Sequence, residues 1–186
     1  MSNETWCIAG GENGADRRLA DALLRGGSTV AIVGRDVAPF ALLVDDYADA
    51  IMPVELTATT PQALAELRES IELNIGEVTH FGVLLGELGQ GTAEQVAERL
   101  LGKLRVAGAS DAARVDERAD RWPADAQLIL VREVAAESGA ADQLAENADI
   151  EQRIRLAAER SNLPVPAVHV RDLEELIRGA SVVAPR

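Results

Sequence analysis

The stretch from Trp6 to Asp36 decides the fold and reads WCIAGGENGADRRLADALLRGGSTVAIVGRD. Its first apolar run leads into a glycine-rich turn at residues 10–14, and a helical pattern then runs from Ala15 to a glycine stop at residues 26–27. A second apolar run follows at residues 29–33. A strand, a turn, a helix and a second strand in this order predict a βαβ unit with parallel strands.

The same alternation of short apolar runs and helical patterns continues along the chain. Predicted strands lie at residues 50–54, 81–85, 128–131 and 167–170, with a further strand at 181–183. Predicted helices lie at residues 38–48, 60–75, 92–106, 141–161 and 172–178. Pro53 indicates an edge position for the third strand, because proline cannot donate to a neighbouring strand. No repeat or linker divides the chain, so we expect one α/β domain over residues 1–186, with a doubly wound parallel sheet of six to seven strands and helices on both faces.

The charge balance restricts the class of partner. The chain has 31 acidic and 18 basic residues and a formal charge of −13. Such a field repels nucleic acid and anionic membrane surfaces, which bind mainly through Lys and Arg, so we expect neither as a partner. The single cysteine, Cys7, cannot form an internal disulfide, and the chain has no leader pattern or apolar run near the ~20 residues of a membrane helix. We therefore expect a cytoplasmic protein.

Over residues 6–36 the chain resembles the short-chain dehydrogenase/reductase family. The first turn of that family reads Thr-Gly-x-x-x-Gly-x-Gly, and this chain has Ala9, Gly10, Gly14 and Asp16 at the four defined places. The resemblance implies a Rossmann-like fold that binds a nicotinamide dinucleotide at the carboxyl edge of its sheet. Gly10 and Gly14 are the cofactor-binding glycines that it implies.

The resemblance implies three further cofactor-binding residues at the ends of the second and third strands. Arg35 and Asp36 stand where the family meets the adenosine ribose, and an Arg there often accompanies NADP. Glu55 stands in place of the family's Asp after the third strand. Residues 86–89, Gly-Glu-Leu-Gly, correspond to the family's Asn-Asn-Ala-Gly after the fourth strand.

The family's catalytic Tyr-x-x-x-Lys pair has no counterpart in this chain. In the family, the Lys lowers the pKa of the Tyr so that the Tyr can exchange a proton with the substrate. Residues 146–150, Glu-Asn-Ala-Asp-Ile, occupy that place, and the only Tyr and Lys of the chain, Tyr47 and Lys103, belong to other segments. Ser138 and Glu133 both fit the place of the family's Ser after the fifth strand. We therefore expect no catalytic residues of the family type.

Two carboxylates stand in or beside the predicted phosphate turn. Glu12 lies within it, and Asp16 replaces the third glycine. An Asp in the first turn of a helix can accept the N–H groups that a phosphate would use, and a like charge within ~4 Å of a phosphate costs about 1 kcal/mol or more even in water. We therefore expect no bound cofactor. NADP or NAD stays open as an alternative, because Arg35 suits a 2′-phosphate and Arg17 or Arg18 would offset part of the negative charge.

A metal site is not expected. Acidic residues recur at the predicted strand ends, namely Glu12, Asp36, Glu55, Glu87, Glu133 and Asp172. Their spacing does not resemble a calcium loop, and a chain with 31 acidic residues places some of them in every loop. His80 and His169 lie beside apolar strand residues without Cys or His neighbours, and Cys7 is expected in the core.

The missing Tyr–Lys pair favours a non-catalytic subunit. The chain resembles a truncated member of the family, because it ends soon after the sixth strand and lacks most of the family's substrate lid. We expect it to form a homo- or hetero-oligomer and to stabilise or regulate an active oxidoreductase. The helices after strands 4 and 5 build the oligomer interface in such families, and here they are residues 92–106 and 141–161. Their apolar positions are Val96, Leu100 and Leu104 on the first helix, and Leu144, Ile150, Ile154 and Ala158 on the second.

Three alternatives stay open. The apolar positions of the two helices can face the chain's own sheet alone. The protein can be an NAD(P)-binding oxidoreductase or nucleotide sensor that lacks the usual Tyr and Lys. It can also be a structural half-domain that resembles the truncated reductase subdomain of modular polyketide synthases.

Overall fold

A computed structural model of the chain describes residues 4–9, 14–56, 61–85, 126–133, 140–160 and 167–182. Within these ranges there are six strands: β1 (Thr5–Ala9), β2 (Thr29–Gly34), β3 (Ile51–Glu55), β4 (His80–Leu84), β5 (Gln127–Arg132) and β6 (Ala167–Asp172). The α-helices of the same ranges are α1 (Ala15–Arg25), α2 (Ala41–Tyr47), α3 (Pro61–Ile75), α4 (Ala140–Arg160) and α5 (Leu173–Val182). Short 3-10 turns flank α2 at Ala38–Phe40 and Ala48–Ala50.

The six strands form one parallel sheet in the order β3-β2-β1-β4-β5-β6. The strand order reverses between β1 and β4, which is the switch point of a doubly wound fold. The predicted fold class is therefore confirmed, and so is the edge position of β3, which carries Pro53. The predicted helix at residues 92–106 lies outside the described residues, whereas the predicted helix at 141–161 is α4.

Helix α1 ends as the sequence predicts, at a pair of glycines. Gly27 has a left-handed backbone, with φ of +87°. Its N–H donates to the carbonyl of Leu24 at 3.0 Å, and the N–H of Ser28 donates to that of Leu23 at 3.0 Å. These two bonds form a Schellman motif, which satisfies helix carbonyls that would otherwise lack partners. The motif turns the chain directly into β2.

The core lies on both faces of the sheet. On one face, the buried side chains of α1, α2 and α5 pack against β1, β2, β4 and β5. The members with the least exposed area include Ile8, Leu19, Ile32, Phe40, Leu84 and Leu173. On the other face, Ile71 of α3 packs with Ala31 of β2 and with Val78. Right-handed crossovers place α1 and α3 on opposite faces of the sheet, because β1-α1-β2 and β3-α3-β4 cross it in opposite directions.

The predicted strand at residues 181–183 is wrong. Ser181 and Val182 are the last two residues of α5, and residue 183 lies outside the described ranges. Helix α5 packs along α1 so closely that a Cβ added at Gly26 would lie 2.9 Å from the carbonyl oxygen of Ala180. This packing continues the helix through Gly179, where the sequence pattern indicated a break.

No helix of the described ranges is long and apolar enough to cross a membrane.

Candidate functional site

The candidate site is the carboxyl edge of the sheet. In a parallel sheet all strands end at the same edge, and the helices that follow begin there. Among the described elements, α1 and α5 both begin at this edge, and their first turns are joined by an ion pair between Arg18 and Glu174. The edge thus presents the amino end of α1, the end of β2 beside β3, and the end of β5 beside β6.

Gly14 turns the chain into α1. It has a left-handed backbone, with φ of +69°, and its carbonyl accepts the N–H of Arg18 at 3.2 Å. A Cβ at Gly14 would meet no atom within 4 Å, so the position favours glycine for its backbone angles rather than for lack of space. The predicted cofactor-binding Gly10 and the turn residue Glu12 lie outside the described residues.

Asp16 is the buried charged residue of this helix end. Its side chain is only 2% exposed, in the first turn of α1. One carboxylate oxygen, Oδ1, accepts the backbone N–H of Arg17 at 2.7 Å. The other, Oδ2, is buried and has no hydrogen-bond partner in the described part of the chain. The carboxylate therefore takes one of the first-turn N–H groups, as the sequence predicts.

The ends of β2 and β3 bring together three of the residues predicted to bind the cofactor, namely Arg35, Asp36 and Glu55. Glu55 is the register partner of Gly34, and the N–H of Leu56 donates to the carbonyl of Gly34 at 2.7 Å. Arg35, Asp36 and Glu55 are all exposed there. Oδ1 of Asp36 accepts the N–H of Ala38 at 2.9 Å, so that carboxylate holds the next turn.

The end of β5 carries a guanidinium, that of Arg132, whereas Ser138, one of the two residues predicted at the family's Ser position, lies outside the described residues. Arg132 is half-buried, and its Nη2 donates to Oδ1 of Asn147 on α4 at 2.8 Å. Asp172, at the end of β6, is the register partner of Arg132. Glu133 follows Arg132, and its Oε1 is buried without a hydrogen-bond partner among the described residues. A guanidinium and an amide can bind and orient polar groups, but neither exchanges protons near neutral pH.

Helix α4 also supports the end strand of the described sheet. Glu151, one turn after Asn147, accepts the backbone N–H of Val170 through Oε1 at 2.9 Å. This contact satisfies an amide of β6, which is the last strand in the order. The sequence predicts residues 146–150 at the place of the family's Tyr and Lys. The side chains in and directly after this segment instead bind the end of β5 and the backbone of β6.

Tyr47, the only tyrosine of the chain, lies elsewhere. It ends α2, and its hydroxyl donates to Oδ1 of Asp21 at 2.9 Å and accepts from Nε of Arg25 at 3.3 Å. Asp21 and Arg25 also pair with each other at 2.9 Å on α1. Burial is the main cause that raises the pKa of Tyr47, opposed by the hydrogen bond from Arg25. The phenol thus joins α1 to α2.

The remaining candidate side chains have structural contacts. The ring of His80 stacks on Trp6, with 4.7 Å between ring centroids, and its Nδ1 shares a hydrogen bond with the hydroxyl of Thr79. Cys7 keeps some accessible surface, but apolar side chains pack around it and burial raises the pKa of its thiol to about 12. The described residues include no group of three or more His, Cys, Asp or Glu that could hold a metal ion.

Three of these arrangements were not predicted from the sequence. The neighbouring positions of Arg132 and Asp172 have a signal in the sequence, since opposite charges follow the apolar runs of two predicted strands. The bonds from Arg132 to Asn147 and from Val170 to Glu151 have none, because they depend on how α4 lies over the sheet.

The fold defines a class of protein, the doubly wound α/β proteins that bind ligands at the carboxyl edge of the sheet. No family model and no curated protein matches the sequence. Solved structures do match, and they have the fold of short-chain dehydrogenases/reductases. One is an oxidoreductase of that family from Aeromonas hydrophila, with 17% identity and a TM-score of 0.54 over 95% of this chain and 89% of that one. A second is YwfH, an NADPH-dependent reductase involved in bacilysin biosynthesis, with 12% identity and a TM-score of 0.50 over 100% of this chain and 93% of that one.

A third match is a short-chain dehydrogenase from Streptomyces avermitilis, with 17% identity over 92% of this chain. The chain spans 65% of the length of that protein, and the TM-score of 0.48 is too low to support an argument. At these identities the matches show the fold alone. This chain therefore has the short-chain dehydrogenase/reductase fold, as its first 36 residues indicate.

The fold implies a nicotinamide dinucleotide, and the described residues fit its two halves unequally. Arg35, which the family resemblance implies for a 2′-phosphate of NADP, is exposed after the end of β2. The amino end of α1, where a pyrophosphate would lie, instead holds the buried carboxylate of Asp16. A carboxylate with one oxygen lacking a donor does not fit a phosphate group, because both are hydrogen-bond acceptors with negative charge.

Proposed function

We propose that this protein is a non-catalytic, cytoplasmic subunit with the short-chain dehydrogenase/reductase fold. It associates with itself or with an active oxidoreductase of the same fold, and it stabilises or regulates that assembly. In this proposal the chain keeps the fold of the family and lacks its catalytic Tyr and Lys. Its support comes from the placement of the tyrosine, from the contacts of α4 and from the two ends of the sheet.

The placement of Tyr47 carries the proposal. Proton transfer of the family type needs a tyrosine next to a lysine beside the end of β5. The single tyrosine is instead bound between Asp21 and Arg25, on the helices that cover β1 and β2. The chain has no Tyr or Lys from Arg132 to its end, so α4 cannot supply the pair.

Association through the ends of the described sheet is disfavoured. On β3, Pro53 has no N–H to donate to another strand. On β6, the N–H of Val170 is already bound by Glu151. Blocked edges of this kind prevent strand-to-strand pairing between molecules. The proposal therefore places the contact between subunits on helix surfaces.

Helix α4 provides the described part of that surface. Ile154, one of the apolar positions that suggested an interface, is 1% exposed and packs inside the protein instead. Ile150 is half-buried, and the side chains of residues 144 and 158 are not among those described. Leu156 is 43% exposed and, among the described side chains of α4, is the large apolar one that is open to a partner. The role of residues 92–106 in the interface stays a prediction.

A measurement of native mass tests this proposal, combined with purification of the protein from its source. The expected result is an oligomer, or a complex with an oxidoreductase of the same fold. Leu156→Glu is expected to weaken association, because it places a charge in an apolar contact. Leu42→Glu is the matched control, because Leu42 is 61% exposed on α2, on the opposite side of the sheet. A protein that is only monomeric, and that brings no partner with it, contradicts the proposal.

A second candidate is an NAD(P)-binding oxidoreductase or nucleotide sensor without the usual Tyr and Lys. The exposed Arg35 at the end of β2 favours it, and one matching structure is of an NADPH-dependent reductase. Calorimetric titration with NADP and NAD separates the two candidates. Heat of binding at micromolar ligand favours the second, and no heat or thermal shift at millimolar ligand removes it. A half-domain that serves a reductase, the third candidate, predicts a reductase coding region beside this one.

A further inference from the structure

We propose that Asp16 makes the amino end of α1 reject phosphate groups, so that this one side chain keeps the fold from binding a dinucleotide. The inference goes beyond the proposed function, because a non-catalytic subunit can associate with a partner whether or not it binds a dinucleotide itself. It concerns a specificity-determining residue, and it rests on the burial, hydrogen bonding and charge of that residue.

The backbone at this place is otherwise suited to an anion. Gly14 has the left-handed conformation that leads the chain into the helix, and α1 has 11 residues, enough for a helix dipole. The N–H groups of a first helical turn have no partners within the helix and bind anions. Here the N–H of Arg17 is bound to Oδ1 of Asp16 at 2.7 Å, so it is not available to a phosphate oxygen.

The charge of Asp16 reverses the sign of the field at the helix end. A helix amino terminus carries about half a positive charge, whereas a carboxylate carries a full negative one. Asp16 is 2% exposed, so water screens its charge weakly. Its Oδ2 accepts no hydrogen bond from the described residues. A phosphate oxygen that approaches this helix end therefore meets a net negative charge.

The neighbouring arginines do not restore a positive field. Arg18 forms an ion pair with Glu174 in the first turn of α5. Arg17 is exposed, and its side chain is therefore screened by solvent. Glu174 and Glu175 begin α5 at the same edge of the sheet, and they pair with Arg18 and Arg171, so these four side chains leave the charge of Asp16 uncompensated. The net charge at this end of α1 is therefore negative and repels a phosphate group.

Calorimetric titration of four proteins tests the inference, with NADP, NAD and inorganic pyrophosphate as the probes. Asp16→Asn removes the charge and keeps the shape and an acceptor for the N–H of Arg17. Asp16→Gly also removes the side chain. Asp46→Asn is the matched control, because it removes one exposed acidic charge on α2. The fourth protein is the wild type.

We expect both Asp16 variants to bind the probes about tenfold or more tightly than the wild type and Asp46→Asn, which should show no heat at millimolar probe. Circular dichroism checks that each variant is folded, and Asp16→Asn decides the outcome if Asp16→Gly is not. Wild-type binding as tight as that of Asp16→Asn overturns the inference, and so does a folded Asp16→Asn that binds no probe. These outcomes are separate from native mass, so the inference and the proposed function can fail independently.

Discussion

Replacing Tyr47 with phenylalanine tests whether the tyrosine is a structural residue. The change removes the hydroxyl that donates to Asp21 and accepts from Arg25, and it leaves the ion pair between those two side chains in place. The ring keeps its apolar contacts with the core. The effect of the substitution therefore reports on the hydroxyl alone.

The expected loss of stability is modest, because the hydroxyl is only partly buried. A side-chain hydrogen bond contributes about 0.5–1.5 kcal/mol net, and partial exposure places this one at the lower end. For a chain of this length, 1 kcal/mol lowers the midpoint of thermal unfolding by roughly 2–4 °C. We expect Tyr47→Phe to lower it by about 2 °C, measured by circular dichroism. An unchanged midpoint refutes the structural role.

The pH dependence gives a second readout of the same contact. The chain has one tyrosine, so the ultraviolet absorbance of tyrosinate reports on Tyr47 alone. Burial raises its pKa above the ordinary value of 10, and the charge of Asp21 raises it further. The neutral phenol is thus favoured by folding, and its contribution is full below pH 10 and is lost as pH rises through the folded pKa. We expect Asp21→Asn to lower the pKa, and a wild-type midpoint at or below that of the unfolded chain contradicts this account.

Three further predictions concern an edge strand, a thiol and two glycines. Glu151→Ala should destabilise the fold by about 1–2 kcal/mol in urea unfolding, because the N–H of Val170 loses its acceptor, whereas Glu151→Gln should recover most of that loss. The thiol of Cys7, with its pKa raised from 9.0 to about 12, should react with a thiol reagent at pH 8 far more slowly in the folded protein than in urea, and equal rates would disprove its burial. Gly27→Ala should lower the free energy of unfolding by about 1 kcal/mol, and with it the unfolding midpoint, because φ is +87° at that position. Gly179→Ala should raise the midpoint by about half that amount, because the position is helical and a Cβ there meets no atom within 4 Å; shifts of the same sign at the two glycines would contradict the backbone argument.

The order of elements could be predicted from the sequence because each follows from a local pattern. The apolar runs of β1 and β2, and the glycine pair that ends α1, are signals of neighbouring residues. The strand predicted at residues 181–183 failed because its true structure depends on a distant contact. Gly26 lets α1 and α5 approach closely, and that packing keeps residues 181–182 helical.

The candidate site also has some features that could be predicted from the sequence and others that could not. The placement of Arg35 and Glu55 beside each other follows from the parallel strands that end there, and could be predicted. The missing Tyr–Lys pair could be read directly from the residue counts. The bond from Arg132 to Asn147 could not, because it depends on how α4 lies over β5. The burial of Asp16 and the missing donor at its Oδ2 also required the folded structure.

Native mass spectrometry of the protein purified from its source tests the central claim most directly. It reports the number of chains and the presence of a bound dinucleotide in one spectrum. The account predicts an oligomer in which this chain carries no dinucleotide, paired with itself or with an oxidoreductase of the same fold. A protein that is only monomeric would contradict it, and so would a chain that carries a bound NADP or NAD.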